Sequence, residues 1–347
     1  MTTNSNNKTK NNRIDITGLG SFPKAAVLGI VYTIAVILTL IVVLHTNALA
    51  DKHTEMLKKI CACILIGVSC LIVTFFYDKL TVLPVELYQN RKLIKRLAIN
   101  DFKKRYAGSY MGVVWALAQP VVTVLMYWFV FDKIFQTRGE MAAGGIEVPY
   151  VLFLTTGLVP WFYFSEALLN GTTSLLEYNY LVKKVLFKIS ILPLIKVMAA
   201  MFIHVFFIFV MLVVAIFYGY QPTIYTLQIF YYMICEFILV LALSYSTSAI
   251  VVFFRDLTQI ISIALQLGQW ATPILWNIDR ISDSLKWVIK LNPVTYIVEG
   301  YRNSIYGEIW FFEHFYSSTY FWIVTVVLFL IGSLIFKRSK VHFADVL

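Results

Sequence analysis

The residues with the most chemistry to offer are cations. Arg91, Lys92, Lys95, Arg96, Lys103, Lys104 and Arg105 crowd one short stretch, a density that attracts anionic lipid headgroups or an anionic substrate. The usual equipment of enzymes is missing. His45, His53, His204, His314 and His342 are scattered, with no HExxH and no His paired with Cys, so no metal site is expected. The chain has no GxSxG elbow for a nucleophilic serine. It also lacks the GxxxxGK[ST] loop that cradles nucleotide phosphates, so any ATP-driven work must be done by another subunit. Cys61, Cys63, Cys70 and Cys235 lie in apolar runs without a CxxC pair and read as small buried hydrophobes.

Two acids fall inside apolar runs, Glu166 and Glu236. Charges there are expensive and usually face a protein interior or a wet path; each acid either lines a conduit or is protonated and bonded to a neighbouring helix. His204, also within a run, reads as a hydrogen-bonded interior residue. Aromatic residues make up 16% of the chain, among them Trp115, Tyr127, Trp128, Trp161, Phe162, Trp270 and Trp276. Most serve as interfacial belt or packing, and a minority could face a passage, where flat rings stack on sugars.

The elements that must position these groups are membrane helices. Of 347 residues 59% are hydrophobic and 14% charged, against about half apolar in soluble domains, which excludes a soluble fold. Runs long enough to span hydrocarbon, about 20 residues, lie near 25–44, 60–77, 113–135, 148–169, 192–218, 227–254, 258–276 and 320–336. Residues 1–24, rich in Asn, Thr and Lys, are expected to be disordered and cytoplasmic, and the first run to remain as a helix rather than a cleaved signal. The formal charge of +10 reflects basic loops rather than nucleic-acid binding. With eight spans, the basic segments before 113, at Lys183, Lys184 and Lys188, and after 336 share one side. That places both termini in the cytoplasm.

Residues 86–108 carry too many charges to cross. On a helical wheel Leu93, Ile94, Leu97, Ala98 and Phe102 share one side, and Lys92, Lys95, Arg96 and Lys103 the other. This pattern predicts a helix lying in the cytoplasmic interface. Between 277 and 318, apolar stretches too short to cross are interrupted by Asp279, Arg280, Asp283, Lys286 and Lys290, which predicts re-entrant or interfacial helices on the outer side.

From Leu93 onward the residues come in a telling order: Arg105-Tyr106 with Ser109, Gly112, Trp115 and Pro120; Gly157 to Phe162; Asn179 to Pro193; Phe254-Arg255-Asp256; Pro273 to Trp276; Asn292-Pro293 through Tyr301-Arg302; and Phe343 to Leu347. Together they resemble the permease subunits of ABC exporters for lipid-linked polysaccharides, most closely the teichoic acid translocation permeases. The resemblance implies an all-α polytopic fold: a six-span permease core over 109–347, an amphipathic interfacial helix over 86–108, outer re-entrant helices, and two additional N-terminal spans within 25–80. The last two have no counterpart in the usual six-span permease.

The resemblance further implies a homodimer in the plasma membrane, bound to two ABC ATPase subunits that hold ATP and Mg; this chain would bind no cofactor and catalyse nothing by itself. A coupling segment over 176–190 would dock on the ATPase through Asn179, Leu181, Val182, Lys183, Lys184, Val185, Phe187 and Lys188. Lys188 stands where the family commonly has proline. The cargo would be an undecaprenyl-linked polymer, most closely teichoic acid, with capsular polysaccharide or O-antigen as the alternative. Lys92, Lys95, Arg96, Lys103 and Arg105 are the expected contacts for its pyrophosphate. Trp115, Tyr127, Trp161, Phe162, Glu166, Trp270 and Trp276 are the expected passage residues. A membrane glycosyltransferase is a poorer match because no DxD pair occurs. An ion-coupled transporter is also poorer, for want of an inverted repeat.

Overall fold

The computed structural model describes residues 24–44, 52–105, 111–112, 114–136, 139–141, 147–183 and 188–347. The expectation of disorder before residue 24 lies outside them. Two compact units separate near Phe76.

The first unit holds α1 (Lys24–Leu44) and the greater part of α2 (Lys52–Gln89). Within it, the hydroxyls of Tyr32 and Thr74 are 2.6 Å apart, and Lys59 donates to the Val43 carbonyl at 3.2 Å. The expected second run, 60–77, is the middle of a helix that continues unbroken to Gln89. That helix includes the start of the stretch expected to lie in the interface.

The second unit begins with the end of α2, which a turn at Asn90 separates from α3 (Arg91–Arg105). Next come α4 (Val114–Tyr127), continued by a π-helical stretch Trp128–Ile134, and a minimal hairpin of β1 (Glu140–Met141) and β2 (Glu147–Val148). Helix α5 (Tyr150–Glu177) leads to the single turn α6 (Asn179–Val182), then α7 (Leu192–Phe217), α8 (Gln228–Val251) and α9 (Leu257–Ala271). Short helices α10 (Asp283–Lys290) and α11 (Pro293–Arg302) precede α12 (Phe315–Ser339) and the terminal turn α13 (Phe343–Val346). Among the described residues, four helical stretches are long and apolar enough to cross a membrane: 150–177, 189–217, 224–251 and 315–342.

Local sequence explains the boundaries. Helix α9 stops at Ala271, five residues short of the expected span, because Pro273 holds Thr272 extended at φ −83°, ψ 142°. Helix α11 starts where Asn292 accepts from the Val294 amide at 3.0 Å and Pro293 fills the first helical position. The turn before α8 is closed by a reciprocal cap between Thr223 and Thr226. Further along, Gln228 at the head of α8 donates to Ile309 O at 2.8 Å and accepts from Phe311 N at 2.9 Å, tying α8 to the approach to α12.

The core forms around α5, which is packed by α7, α8, α9 and α11. Its buried positions run round the whole helix, from Val151 and Leu152 to Ser174 and Leu175. Threonines on its buried faces are satisfied locally: Thr155 donates to Val151 O at 2.6 Å and Thr172 to Leu168 O at 2.8 Å. Helix α5 is therefore enclosed by the chain itself, so lipid touches little of it.

Candidate coupling and headgroup site

The cations of α3 sort into two groups. Lys92, Lys95 and Arg96 are exposed and line a shallow depression together with Ile99 and Asn100. Lys103 is exposed one turn further on. Arg105 turns inward instead: it is hydrogen-bonded to Glu166 of α5, and its Nη2 lies 3.7 Å from Asp101 Oδ2. The buried face of α3 is Ile94, Ala98 and Asp101, a spacing of four and then three residues that follows one side of the helix. Leu93, expected on that face, is exposed, and the apolar wheel missed Asp101, which sits in the contact with α7. Phe102 does face inward, with its ring 5.6 Å from that of Phe202 on α7.

Asp101 is the centre of a polar junction. Tyr178, immediately after α5, donates to its Oδ1 at 2.5 Å, and Lys196 of α7 donates to the same oxygen at 2.8 Å. Lys196 also donates to Glu177 Oε2 at 2.6 Å, and its ammonium sits 5.0 Å from the centre of the Tyr178 ring. Burial, and then the bond to Asp101, holds the Tyr178 phenol well above its ordinary pKa of 10, so it stays a donor at all neutral pH values. Lys196 lies outside the expected site residues. The signal was available, since it is a lone cation four residues into the run 192–218.

Of the expected coupling residues, Asn179, Lys183 and Lys188 are exposed and Leu181 is half-buried. Val182 is buried in this chain's own core, so it holds α6 down and does not reach outward as expected. Lys184, Val185 and Phe187 lie outside the described residues. After the segment, Ser190 donates to Glu86 Oε2 at 2.7 Å, and its carbonyl accepts from Tyr245 of α8 at 2.9 Å.

The expected passage residues do not converge. Trp161 is buried against Gly268 of α9, which is so close that a Cβ there would fall 2.8 Å from the indole. Phe162 packs its ring 5.4 Å from Phe207, and Tyr127 stacks 6.1 Å from Phe131. Trp115 and Trp270 are exposed, the latter by 69%, and Trp276 donates its indole N–H to Trp270 O at 3.0 Å. Glu166 is paired with Arg105, and Asn170 donates to it at 3.4 Å. Glu236 is fully enclosed, 3.7 Å from His204 Nε2, and the same nitrogen is 2.8 Å from the Tyr301 hydroxyl. His204 is thus the hydrogen-bonded interior residue expected of it, joining α7 to α11.

At the end of the unit away from Asp101, two separated motifs meet. The Arg302 guanidinium lies 3.6 Å over the Phe153 ring, pairs with Glu299 at 2.7 Å and donates to Ile274 O at 3.1 Å. Asn292 donates to Thr272 Oγ1 at 2.9 Å, and Tyr150 to Leu275 O at 2.9 Å. Among the described residues no cluster of His, Cys, Asp or Glu could hold a metal ion.

Comparison with known proteins gives these elements a family. Over 249 residues, 71% of this chain and 92% of the relative, the sequence is 29% identical to an O-antigen export system permease protein RfbA of Klebsiella pneumoniae. Over 267 residues, 75% of this chain and 97% of the relative, it is 30% identical to a protein of the same description from Myxococcus xanthus. Residues 92–306, which run from the exposed cations of α3 to the end of the Arg302 junction, match the ABC-2 type transporter family. The chain is a membrane-embedded member of the ABC-2 type transporter family.

Proposed function

We propose that this chain is the transmembrane subunit of an ATP-driven exporter that carries a lipid-linked cell-surface polysaccharide across the plasma membrane. The supporting observation is the junction at Asp101, where a carboxylate of the helix bearing the exposed cations accepts from Tyr178 at the start of the coupling segment and from Lys196 of α7. A permease without a nucleotide loop needs a surface on which a separate ATPase can act, and in this reading the coupling segment 176–190 supplies one. In this reading a second copy completes the passage, and ATP with Mg resides on the partner. Lys92, Lys95 and Arg96 contact the diphosphate of the lipid carrier, since cations pair strongly with phosphate oxygens. Lys103 extends that surface, while Arg105 orders the helix through Glu166.

The names of the relatives favour an O-antigen-like glycan. The C-terminal Phe343-Ala344-Asp345-Val346-Leu347 instead leans toward teichoic acid, and the two cargoes share the lipid diphosphate. Depleting the chain in its native cell should make one undecaprenyl-linked polymer accumulate on the cytoplasmic side, and its composition names the cargo. Lys95→Gln with Arg96→Gln should lower export about tenfold or more, as expected when two phosphate contacts of roughly 1 kcal/mol each are lost, while the chain still copurifies with its ATPase. Undiminished export by this variant would remove the headgroup assignment.

A further inference from the structure

Lys196 is buried in the second turn of α7 and binds carboxylates from two other elements, Asp101 of α3 and Glu177 at the end of α5. An apolar side chain of similar volume would pack α7 against α3 without the cost of desolvating a charge. What the ammonium adds is direction: its bonds fix both the rotation of α3 and the exit of α5. On α3, Asp101 lies on the buried face and Lys92, Lys95 and Arg96 on the exposed one, so rotating α3 to move Asp101 must also move the cations. On the other side, Glu177 and Tyr178 directly precede α6. The bonds of Ser190 to Glu86 and Tyr245 hold the far end of the segment, and at the near end Tyr178 and Lys196 both bind Asp101 of α3.

We propose that Lys196 is a positioning residue that makes the cationic face of α3 and the ATPase-docking segment move together, so that a lipid diphosphate on α3 accelerates ATP hydrolysis by the partner. The inference rests on the headgroup reading above. Between binding equilibria such coupling is reciprocal: nucleotide on the ATPase changes the affinity for the diphosphate by the factor by which the diphosphate changes the affinity for nucleotide.

Two arms test it on the full chain assembled with its ATPase in phosphatidylethanolamine and phosphatidylglycerol vesicles. In the first, undecaprenyl diphosphate in the bilayer raises ATP hydrolysis, and raises the affinity for nucleotide about fivefold, the lower range of such couplings. Asp101→Asn and Lys196→Met abolish that rise, Lys196→Arg keeps it, and binding of the diphosphate is unchanged in all three. The second arm needs no diphosphate. A bimane on Lys104→Cys, with the native cysteines replaced, changes emission on vanadate trapping in the parent and not with Asp101→Asn. The tie is overturned if the emission change survives in Asp101→Asn, or if Lys196→Met retains the diphosphate response. Intact emission changes with no diphosphate binding by the parent would reject the headgroup reading while supporting the tie.

Discussion

Lys196 Nζ stands 2.8 Å from Asp101 Oδ1 across 95 residues of sequence, and neither side chain is more than 7% exposed. Removing one partner leaves a buried charge uncompensated, which costs about 3–5 kcal/mol. Lys196→Met should therefore lower the unfolding midpoint of the solubilised protein strongly. Adding Asp101→Asn should recover part of the loss, with a coupling energy of about 1–3 kcal/mol in a double-mutant cycle. Strict additivity of the two substitutions would mean that the pair does not interact.

Tyr178→Phe removes one of the donors to Asp101 and leaves Lys196 in place. The loss should be about 1–2 kcal/mol, in line with a partly exposed bond to a charged acceptor. Because burial and the Asp101 bond keep the phenol protonated, the loss should be the same at pH 6 and pH 9. Thermal unfolding at the two values checks this, and a loss confined to one of them would contradict it.

Helices α8 and α12 approach closely at Gly332, where a Cβ would fall 2.7 Å from the Ala242 carbonyl oxygen and 2.9 Å from Ser246 Oγ. The carbonyl belongs to a helix backbone and cannot swing aside. Gly332→Ala should cost about 1–3 kcal/mol by forcing the helices apart, measurable as a lower unfolding temperature. Ser246→Ala added to it should give little relief, because the backbone oxygen is the nearer obstacle.

His314, just before α12, is within 3.2 Å of Asn303 Nδ2. Burial, then the Lys290 charge, pushes its pKa below the ordinary 6.5, while Glu299 and Glu313 pull weakly the other way. The sign follows from the lowered folded value: above pH 6.5 both states are neutral and stability is flat. As pH falls below 6.5 the unfolded chain takes up the proton first, and stability declines toward the folded pKa. His314→Gln should flatten that part of the pH–stability curve. An unchanged slope between pH 6.5 and 5 would assign it to another group.

The sequence pattern was most informative where the signals are local. Pro273, Asn292 and Pro293 punctuate the chain by their own backbone preferences, and the short helices at 283–290 and 293–302 appear where too-short apolar stretches predicted them. Basic spacing likewise marked Lys92, Lys95 and Arg96 as one surface. What escaped were the long-range pairings. Nothing near Arg105 indicates Glu166, 61 residues away, nor does anything near Asp101 indicate Lys196. Aromatic type also failed to separate packing from exposure: Trp161 and Trp270 look alike in sequence, yet one is sealed against Gly268 and the other is open. Helix α2 runs past its expected end, through positions 78 and 79, so charge alone does not terminate it.

Helix α5 is 28 residues long, about 42 Å at the usual rise, and is gripped at both tips: by the Asp101 junction beside Tyr178, and by Tyr150 and Phe153 against Leu275 and Arg302. A rod sheathed along its length by its own neighbours has little freedom to tilt on its own account. A displacement of its tip at Glu177 must be carried to the Tyr150 end or be absorbed at Pro160, the one residue inside it that cannot donate a helical hydrogen bond. The stiffness of that joint decides how much of a displacement at one tip is felt at the other.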